Sequence, residues 1–136
     1  MEIVVDTSAF VAIYRAEEGT SSCEQAIAQA STIYLPASCR LEAALLRRQG
    51  VDFFDWFRRF TSLPLYRDAE LTGSVIEIAI AAARFYGKGS GHPAQLNFGD
   101  CLVYAVAKER DLPLLFVGDD FGLTDVTPAI AQRSTG

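Results

Sequence analysis

The chain has 136 residues, which suits one domain, and half of them are hydrophobic, so a sizeable core needs neither metal nor disulfide support. Its 12 Lys and Arg against 17 Asp and Glu give a formal net charge of −5, which argues against a protein that coats nucleic acid through bulk positive charge. That balance is compatible with an enzyme that holds nucleic acid locally through metal ions. No long apolar stretch and no basic leader are present, so we expect neither a membrane span nor a secretory signal.

The first half of the chain alternates between short β-branched runs and segments with helical spacing. Thr7 and Ser8 offer helix-capping chemistry directly after the first run, and Ser38 does so after the second. The predicted elements are a strand at 3–5, a helix through residue 14, a helix at 21–30, a strand at 33–35 and a helix from 38 to 50.

The second half continues the alternation and contains the clearest amphipathic helix. The predicted elements are an aromatic-rich helix at 51–60, a strand at 63–66, the amphipathic helix at 69–86, a glycine-rich loop at 87–93, an apolar helix at 98–110 and a strand at 114–117. The pattern predicts an α/β fold with a central, mostly parallel sheet of four to five strands flanked by helices. We expect one domain over 1–136, with a loose tail at 133–136.

The cysteines and the lone histidine do not form a metal-binding pattern. Cys23, Cys39 and Cys101 are odd in number and contain no C-x-x-C pair, so we expect reduced thiols in the core of a cytoplasmic protein. His92 lies in the glycine-rich loop with no second nitrogen ligand in view.

Acidic residues stand where a parallel sheet binds its ligands. Asp6 follows the first strand and Asp119-Asp120 follow the last, at the carboxyl ends where open parallel sheets bind ligands. Glu42 and Asp100 lie near the starts of two predicted helices. Each acid also has an ordinary explanation, as a helix cap, a first-turn acid or a turn residue. The joint pattern is what points to a common site.

Electrostatic repulsion explains why a cluster of these acids would indicate a metal site. Two carboxylates about 4 Å apart repel by roughly 4 kcal/mol at an effective dielectric constant near 20. Several such pairs would offset a large part of the ~5–15 kcal/mol that stabilises a typical domain. The carboxylates must therefore take up protons or bind a cation. A site with oxygen ligands alone suits Mg²⁺ or Mn²⁺, and these ions suit phosphoryl chemistry.

Four segments together resemble the PIN-domain ribonucleases, and more narrowly the VapC toxins of bacterial type II toxin–antitoxin pairs. They lie at 5–9 (Val-Asp-Thr-Ser-Ala), 41–43 (Leu-Glu-Ala), 92–101 (His-Pro-Ala-Gln-Leu-Asn-Phe-Gly-Asp-Cys) and 114–121 (Leu-Leu-Phe-Val-Gly-Asp-Asp-Phe). The resemblance covers nearly the whole chain, and the segment at 92–101 is its most specific part. It implies a metal-dependent endonuclease that acts on RNA.

The resemblance also implies a role for each residue. Asp6 and Asp100 would be the central metal ligands, Glu42 would bind the metal directly or through water, and Thr7 would support the site by hydrogen bonding. The fourth acid departs from the usual Thr/Ser-x-Asp pattern, because Gly118-Asp119-Asp120 stands there. Both aspartates are therefore catalytic candidates, with Asp120 favoured as the metal ligand. The implied reaction is in-line attack of metal-activated water on a phosphodiester, leaving a 5′-phosphate and a 3′-hydroxyl.

Two further groups of residues suggest partners. Five arginines in one third of the chain predict either an RNA-facing rim or solvated helix faces: Arg40, Arg47, Arg48, Arg58 and Arg59. An aromatic group predicts a groove for a partner's helix, with about half of its members in the core: Phe53, Phe54, Trp56, Phe57 and Phe60. The resemblance implies that a VapB-like antitoxin occupies such a groove and that the toxin forms a homodimer.

Three alternatives compete with the nuclease interpretation. A phosphoacceptor signalling domain needs paired acids after the first strand, where Asp6 stands alone. A phosphatase of the haloacid dehalogenase type needs Asp-x-Asp, but Ser8 occupies the second acid position. A metal-free interaction module remains if the acids are only caps.

Overall fold

Two helices separate each short strand from the next in residues 1–130, the part of the chain that the computed structural model describes. The expected loose tail at 133–136 lies outside these residues. The elements are β1 (Glu2–Val5), α1 (Thr7–Arg15), α2 (Thr20–Gln29), β2 (Thr32–Pro36), α3 (Ala37–Leu45), α4 (Phe53–Phe60), β3 (Tyr66–Ala69), α5 (Gly73–Tyr86), α6 (Phe98–Arg110) and β4 (Leu114–Leu115). Two short 3₁₀ turns, Arg47–Gln49 and Phe121–Leu123, complete the described chain.

The four strands form one sheet in the order β3-β2-β1-β4, and every pair is parallel. Val4 is in register with Tyr34 on one side and with Leu114 on the other. In β1, Ile3, Val4 and Val5 are fully buried, as expected for a strand of a parallel sheet covered on both faces. The predicted parallel α/β fold is confirmed, with four strands in the described chain.

The core lies on both sides of β1. Helix α6 packs on β1 and β2, and its whole middle section, from Cys101 to Ala107, is buried. An aromatic cluster joins α1 to α4, in which the Phe10 ring packs edge-on against Phe57 at 5.0 Å and Phe60 at 6.0 Å. The cysteines are free, buried thiols, as predicted, and fill space in this core: Cys23, Cys39 and Cys101.

Two boundaries in the middle of the chain differ from the prediction. The third strand is Tyr66–Ala69 and not 63–66, because it is Tyr66–Ala69 that pairs with Ile33–Pro36 of β2. The amphipathic helix consequently starts at Gly73 and not at 69, and the Thr72 hydroxyl caps it by accepting a hydrogen bond from the Val75 N–H. Hydrophobic periodicity did not distinguish the end of this strand from the start of the helix.

Two other elements are shorter than predicted. Helix α3 ends at Leu45 because Leu46 leaves helical geometry (φ −80°, ψ 65°), and Ser38, expected as its cap, lies inside the helix. Strand β4 stops at Leu115 and does not extend to 117. Its partner β1 ends at Val5, so the residues beyond Leu115 have no neighbouring strand on that side.

Within residues 1–130, no helix combines the length and the apolar character needed to cross a membrane. The single-domain organisation of the full chain stays a prediction.

Candidate active site

Asp6 stands at the carboxyl end of β1 and is the N-cap of α1. Its Oδ2 accepts a hydrogen bond from the Ser8 N–H at 3.0 Å, and its own N–H donates to the Leu115 carbonyl at 2.9 Å. The residue is only 7% exposed, and burial raises the pKa of its carboxyl from 3.8 to about 6, with smaller contributions from the charges of Glu42 and Asp100. Asp6 is therefore both a helix cap and a buried acid that faces two others.

Asp100 lies in the first turn of α6 and forms a capping box with Asn97. The Asp100 N–H donates to Asn97 Oδ1 at 2.8 Å, and Asp100 Oδ2 accepts from the Asn97 N–H at 3.1 Å. Burial raises the pKa of this half-buried carboxyl, and the charges of Asp120 and Glu42 raise it further, while Lys88 lowers it. Asp100, like Asp6, therefore caps a helix, and this capping role is compatible with a second role in a shared acidic site.

Glu42 reaches the same place from α3. Its charge raises the pKa of both Asp6 and Asp100, so all three carboxylates lie within electrostatic reach of one another. Gly99 leaves room for it, because a Cβ at that position would lie 2.8 Å from Glu42 Oε2. The sequence reasoning missed Gly99, although a glycine in the first turn of a helix, directly before a candidate acid, is a usable signal.

The two aspartates after β4, Asp119 and Asp120, are both candidates for the fourth acid beside Asp6, Glu42 and Asp100. Both are exposed on the turn that follows Gly118, whose φ of 114° suits glycine. The charge of Asp120 is one of the main causes that raise the pKa of Asp100. This favours Asp120 as the fourth acid.

Of the two polar residues that follow Asp6, it is Ser8 that hydrogen-bonds to Asp6, whereas Thr7 was the residue predicted to support the site. Thr7 is 2% exposed, and its hydroxyl is buried with no hydrogen-bond partner among the described residues, so its predicted hydrogen bond to the site stays a prediction. Ser8 is the residue that contacts Asp6, and its Oγ also accepts a hydrogen bond from the Val117 N–H at 3.0 Å. The sequence indicated helix-capping chemistry at Ser8 but not this contact with the segment after β4.

The donor chemistry fits a divalent metal ion. Oxygen is the only ligand atom that these acids offer, which suits a hard cation, and the unpartnered Thr7 hydroxyl lies directly beside Asp6 in the sequence. Within residues 1–130, no three Asp, Glu, His or Cys side chains are already gathered as a metal-binding group.

An open cavity of about 360 Å³ gives access to Asp6. Its lining includes Glu42 and Ser8 on one side and Val117 near the end of β4. Glu17 also lines it, an acid that the sequence reasoning did not select, and Glu17 forms an ion pair with Arg15 at 3.8 Å.

Comparison with known proteins identifies the family of the chain. The PIN domain family model matches residues 3–126. Ribonuclease VapC28 of Mycobacterium tuberculosis is 40% identical over 136 residues, covering 96% of this chain and all of that protein. The chain belongs to the PIN-domain family, among the VapC ribonucleases. The family and the ribonuclease activity predicted from the motifs are confirmed.

Solved VapC structures share the fold. The structure of VapC20 from Mycobacterium tuberculosis, described as a sarcin-ricin loop cleaving toxin, superimposes with a TM-score of 0.75 at 17% identity, covering 92% of this chain and 96% of that one. VapBC2 from Rickettsia felis, bound to a DNA fragment from its promoter, gives a TM-score of 0.70 at 12% identity, covering 94% and 96%. The agreement supports the PIN architecture described above.

Proposed function

We propose that the chain is a metal-dependent endoribonuclease that acts as the toxin of a toxin–antitoxin pair and hydrolyses phosphodiester bonds in RNA. The observation that carries the proposal is that Asp6, Glu42 and Asp100, from three different elements, lie within electrostatic reach of one another. The charges of Glu42 and Asp100 each raise the pKa of Asp6, so the fold holds like charges near one another, as functional sites do.

The cofactor in this proposal is Mg²⁺ or Mn²⁺, held by Asp6, Glu42, Asp100 and Asp120. Such an ion, when bound, supplies the positive charge that activates water and stabilises the leaving oxygen. Asp6 is oriented for this role by the Ser8 N–H, and Asp100 by the Asn97 N–H. Two carboxylates are thus fixed by backbone donors before any ligand arrives.

The chain's own residues offer no good protein nucleophile at the site. The Ser8 hydroxyl is engaged with the Val117 N–H, and burial raises the pKa of the Cys101 thiol, which disfavours a thiolate. His92 is held elsewhere, because its Nδ1 accepts a hydrogen bond from the Ala94 N–H at 3.0 Å. These contacts support hydrolysis by water over covalent catalysis.

The proposed protein partner is a VapB-like antitoxin. A VapBC2 assembly from Rickettsia felis and a toxin–antitoxin complex from Klebsiella pneumoniae share this fold. In the predicted aromatic groove, Phe53 and Phe57 are buried core residues, while Phe54, Trp56 and Phe60 are half-buried. The half-buried members are the ones we propose for antitoxin contact.

We also propose a homodimer in the cytoplasm. Large apolar side chains on α3 and α6 are exposed close to the acids, which is consistent with a second copy covering them: Leu41, Leu45 and Phe98. The three free cysteines suit a reducing compartment.

The decisive experiment is incubation of the purified chain with total RNA in Mg²⁺, Mn²⁺ or EDTA, followed by mapping of the cut ends. We expect cleavage only with metal, and 5′-phosphate ends. The Asp100→Asn variant should lose activity by at least about 100-fold, since removing one ligand weakens several kcal/mol of charge stabilisation. It should not melt at a lower temperature in EDTA, because the substitution relieves repulsion. Intact RNA under every condition would refute the proposal.

A further inference from the structure

A second cavity, of about 520 Å³, lies against α3, α4 and β3. Its lining combines the first turns of α3, the end of α4 and strand β3, and includes Arg40, Arg58, Tyr66 and Asp68. None of the five predicted acids is among its lining residues, all of which lie in the described chain. The family's acidic site does not account for this cavity.

The cavity and the acids share one edge of the sheet. Asp68 pairs with Leu35 near the carboxyl end of β2, and β3 is two strands away from β1. Two strand spacings correspond to roughly 10 Å. Arg40 and Glu42 are two residues apart on α3, which turns them about 200° from each other around the helix. One helix therefore presents an acid to the first site and an arginine to the second.

The charges in the cavity favour an anion. Arg40 Nη1 contacts Asp68 Oδ2 at 2.8 Å, and both side chains are about half exposed, so this ion pair is a weak one. The Arg58 guanidinium lies 5.6 Å from the centre of the Phe54 ring and makes no ion pair or side-chain hydrogen bond within residues 1–130. The lining thus has one unbalanced positive charge, in a chain whose net charge is −5.

The donors in the cavity are chiefly guanidinium groups. The hydroxyls of Thr61 and Ser62 already donate to the Phe57 and Arg59 carbonyls, at 2.8 and 2.7 Å. The Tyr66 hydroxyl is buried and has no partner among the described residues. A guanidinium with no carboxylate partner, such as that of Arg58, is typical of phosphate recognition, because its planar fork matches two phosphate oxygens.

We propose that this cavity binds a backbone phosphate of the RNA substrate, a nucleotide or two from the scissile bond, with Arg58 as its main ligand and Arg40 as the second. The inference rests on the proposed function, since it assigns the cavity to the same RNA strand that the acids would cut. The proposal explains how an acidic protein binds a polyanion. The metal site would neutralise the scissile phosphate, and Arg58 would bind a neighbouring backbone phosphate of the same strand.

The chain offers a matched control for the test. Arg59 adjoins Arg58, is also exposed, and does not line the cavity. Binding of a fluorescein-labelled single-stranded RNA is measured in EDTA at several salt concentrations, and cleavage of the same RNA is measured in Mg²⁺. For Arg58→Ala we expect Kd and KM to rise about 10-fold with kcat little changed, since a charge-assisted contact is lost from binding only. The slope of log Kd against log salt should fall by about 0.7, the value for one phosphate contact on a single strand.

Asp68→Asn separates binding from folding. The substitution releases Arg40 from its carboxylate and raises the positive charge of the cavity, so we expect RNA to bind a few-fold more tightly. If the ion pair only supported the fold, the same change would weaken binding and lower the melting temperature.

The outcomes distinguish this proposal from the one it rests on. Equal effects of Arg58→Ala and Arg59→Ala on Kd, or weaker RNA binding by Asp68→Asn, would overturn the phosphate site even if RNA is cleaved. A selective loss of RNA binding in Arg58→Ala without any metal-dependent cleavage would uphold the site and refute the nuclease. Unchanged RNA binding with lost binding of a VapB-like antitoxin would assign the cavity to the antitoxin instead.

Discussion

The Ser8 hydroxyl accepts a hydrogen bond from the Val117 N–H at 3.0 Å, and so joins the start of α1 to the segment that follows β4. The same residue donates its N–H to Asp6 Oδ2. Beyond Leu115 the last strand has lost its ladder with β1, so this bond fixes the chain that leads to Asp120. Ser8 is a positioning residue for two acids that are more than a hundred positions apart.

Replacing Ser8 with Ala tests this role. The backbone bond to Asp6 survives, whereas the Val117 N–H loses its partner, so the turn carrying Asp120 should loosen. We expect kcat to fall about 10-fold, while the free energy of unfolding falls by only about 1 kcal/mol, because the bond is solvent-exposed. Ser8→Thr keeps the hydroxyl and should restore most of the activity. If Ala and Thr behave alike in kinetics and in urea unfolding, the hydrogen bond does not position the acids.

Gly99→Ala should separate activity from stability. The new Cβ would lie 2.8 Å from Glu42 Oε2, so the carboxylate must move. Because alanine favours helix over glycine by up to about 1 kcal/mol, we expect an unchanged or higher melting temperature together with a several-fold lower kcat. The double variant Gly99→Ala, Glu42→Asp has a shorter acidic side chain beside the new Cβ. It tests whether crowding between the Cβ introduced at position 99 and the carboxylate at position 42 causes the loss of activity. Full activity of Gly99→Ala would mean that the position of Glu42 is not critical.

The position of Asp6 at the edge of the sheet could be predicted from the sequence because it follows from topology. Asp6 comes directly after a β-branched run, and the carboxyl ends of neighbouring parallel strands meet at one edge whatever the details of packing. Gly99, Ser8 and Arg58 could not be assigned in the same way, since their roles depend on atoms of distant segments. The position of β3 was missed for a related reason. Tyr66–Ala69 is a strand because β2 offers it a partner, and that pairing leaves no period-two pattern in the sequence.

Asp119 and Asp120 provide an internal comparison for the fourth acid. Both are exposed and adjacent, and the charge of Asp120 raises the pKa of Asp100. We therefore expect Asp120→Asn to lower cleavage at least 10-fold and to raise the Mg²⁺ concentration needed for half-maximal activity, since removing a carboxylate ligand weakens metal binding. Asp119→Asn should stay within about two-fold of the wild type. The reverse order of effects would assign the fourth acid to Asp119.

The buried carboxyl of Asp6 should make the metal-free protein less stable as the pH rises. Its pKa is about 6 in the folded chain against an ordinary 3.8, so the folded state binds this proton more tightly than the unfolded state does. Below about pH 4 the group is protonated in both states and carries no penalty. Between pH 4 and pH 6 the penalty grows, and above pH 6 it is complete. At 1.36 kcal/mol per pKa unit, it amounts to about 3 kcal/mol.

The difference between the wild type and Asp6→Asn isolates this effect, because the Asn oxygen still accepts the Ser8 N–H and carries no charge. Urea unfolding in EDTA at pH 4, 5, 6 and 7 should show the wild type losing about 3 kcal/mol relative to the variant across that range. Asp125 acts in the opposite sense, since hydrogen bonds from Tyr104 and Lys108 lower its pKa, but it is common to both proteins and cancels. Saturating Mg²⁺ should remove most of the wild type's loss at pH 7, because a bound cation replaces the proton. A pH-independent difference would show that Asp6 is not a buried charge in the folded protein.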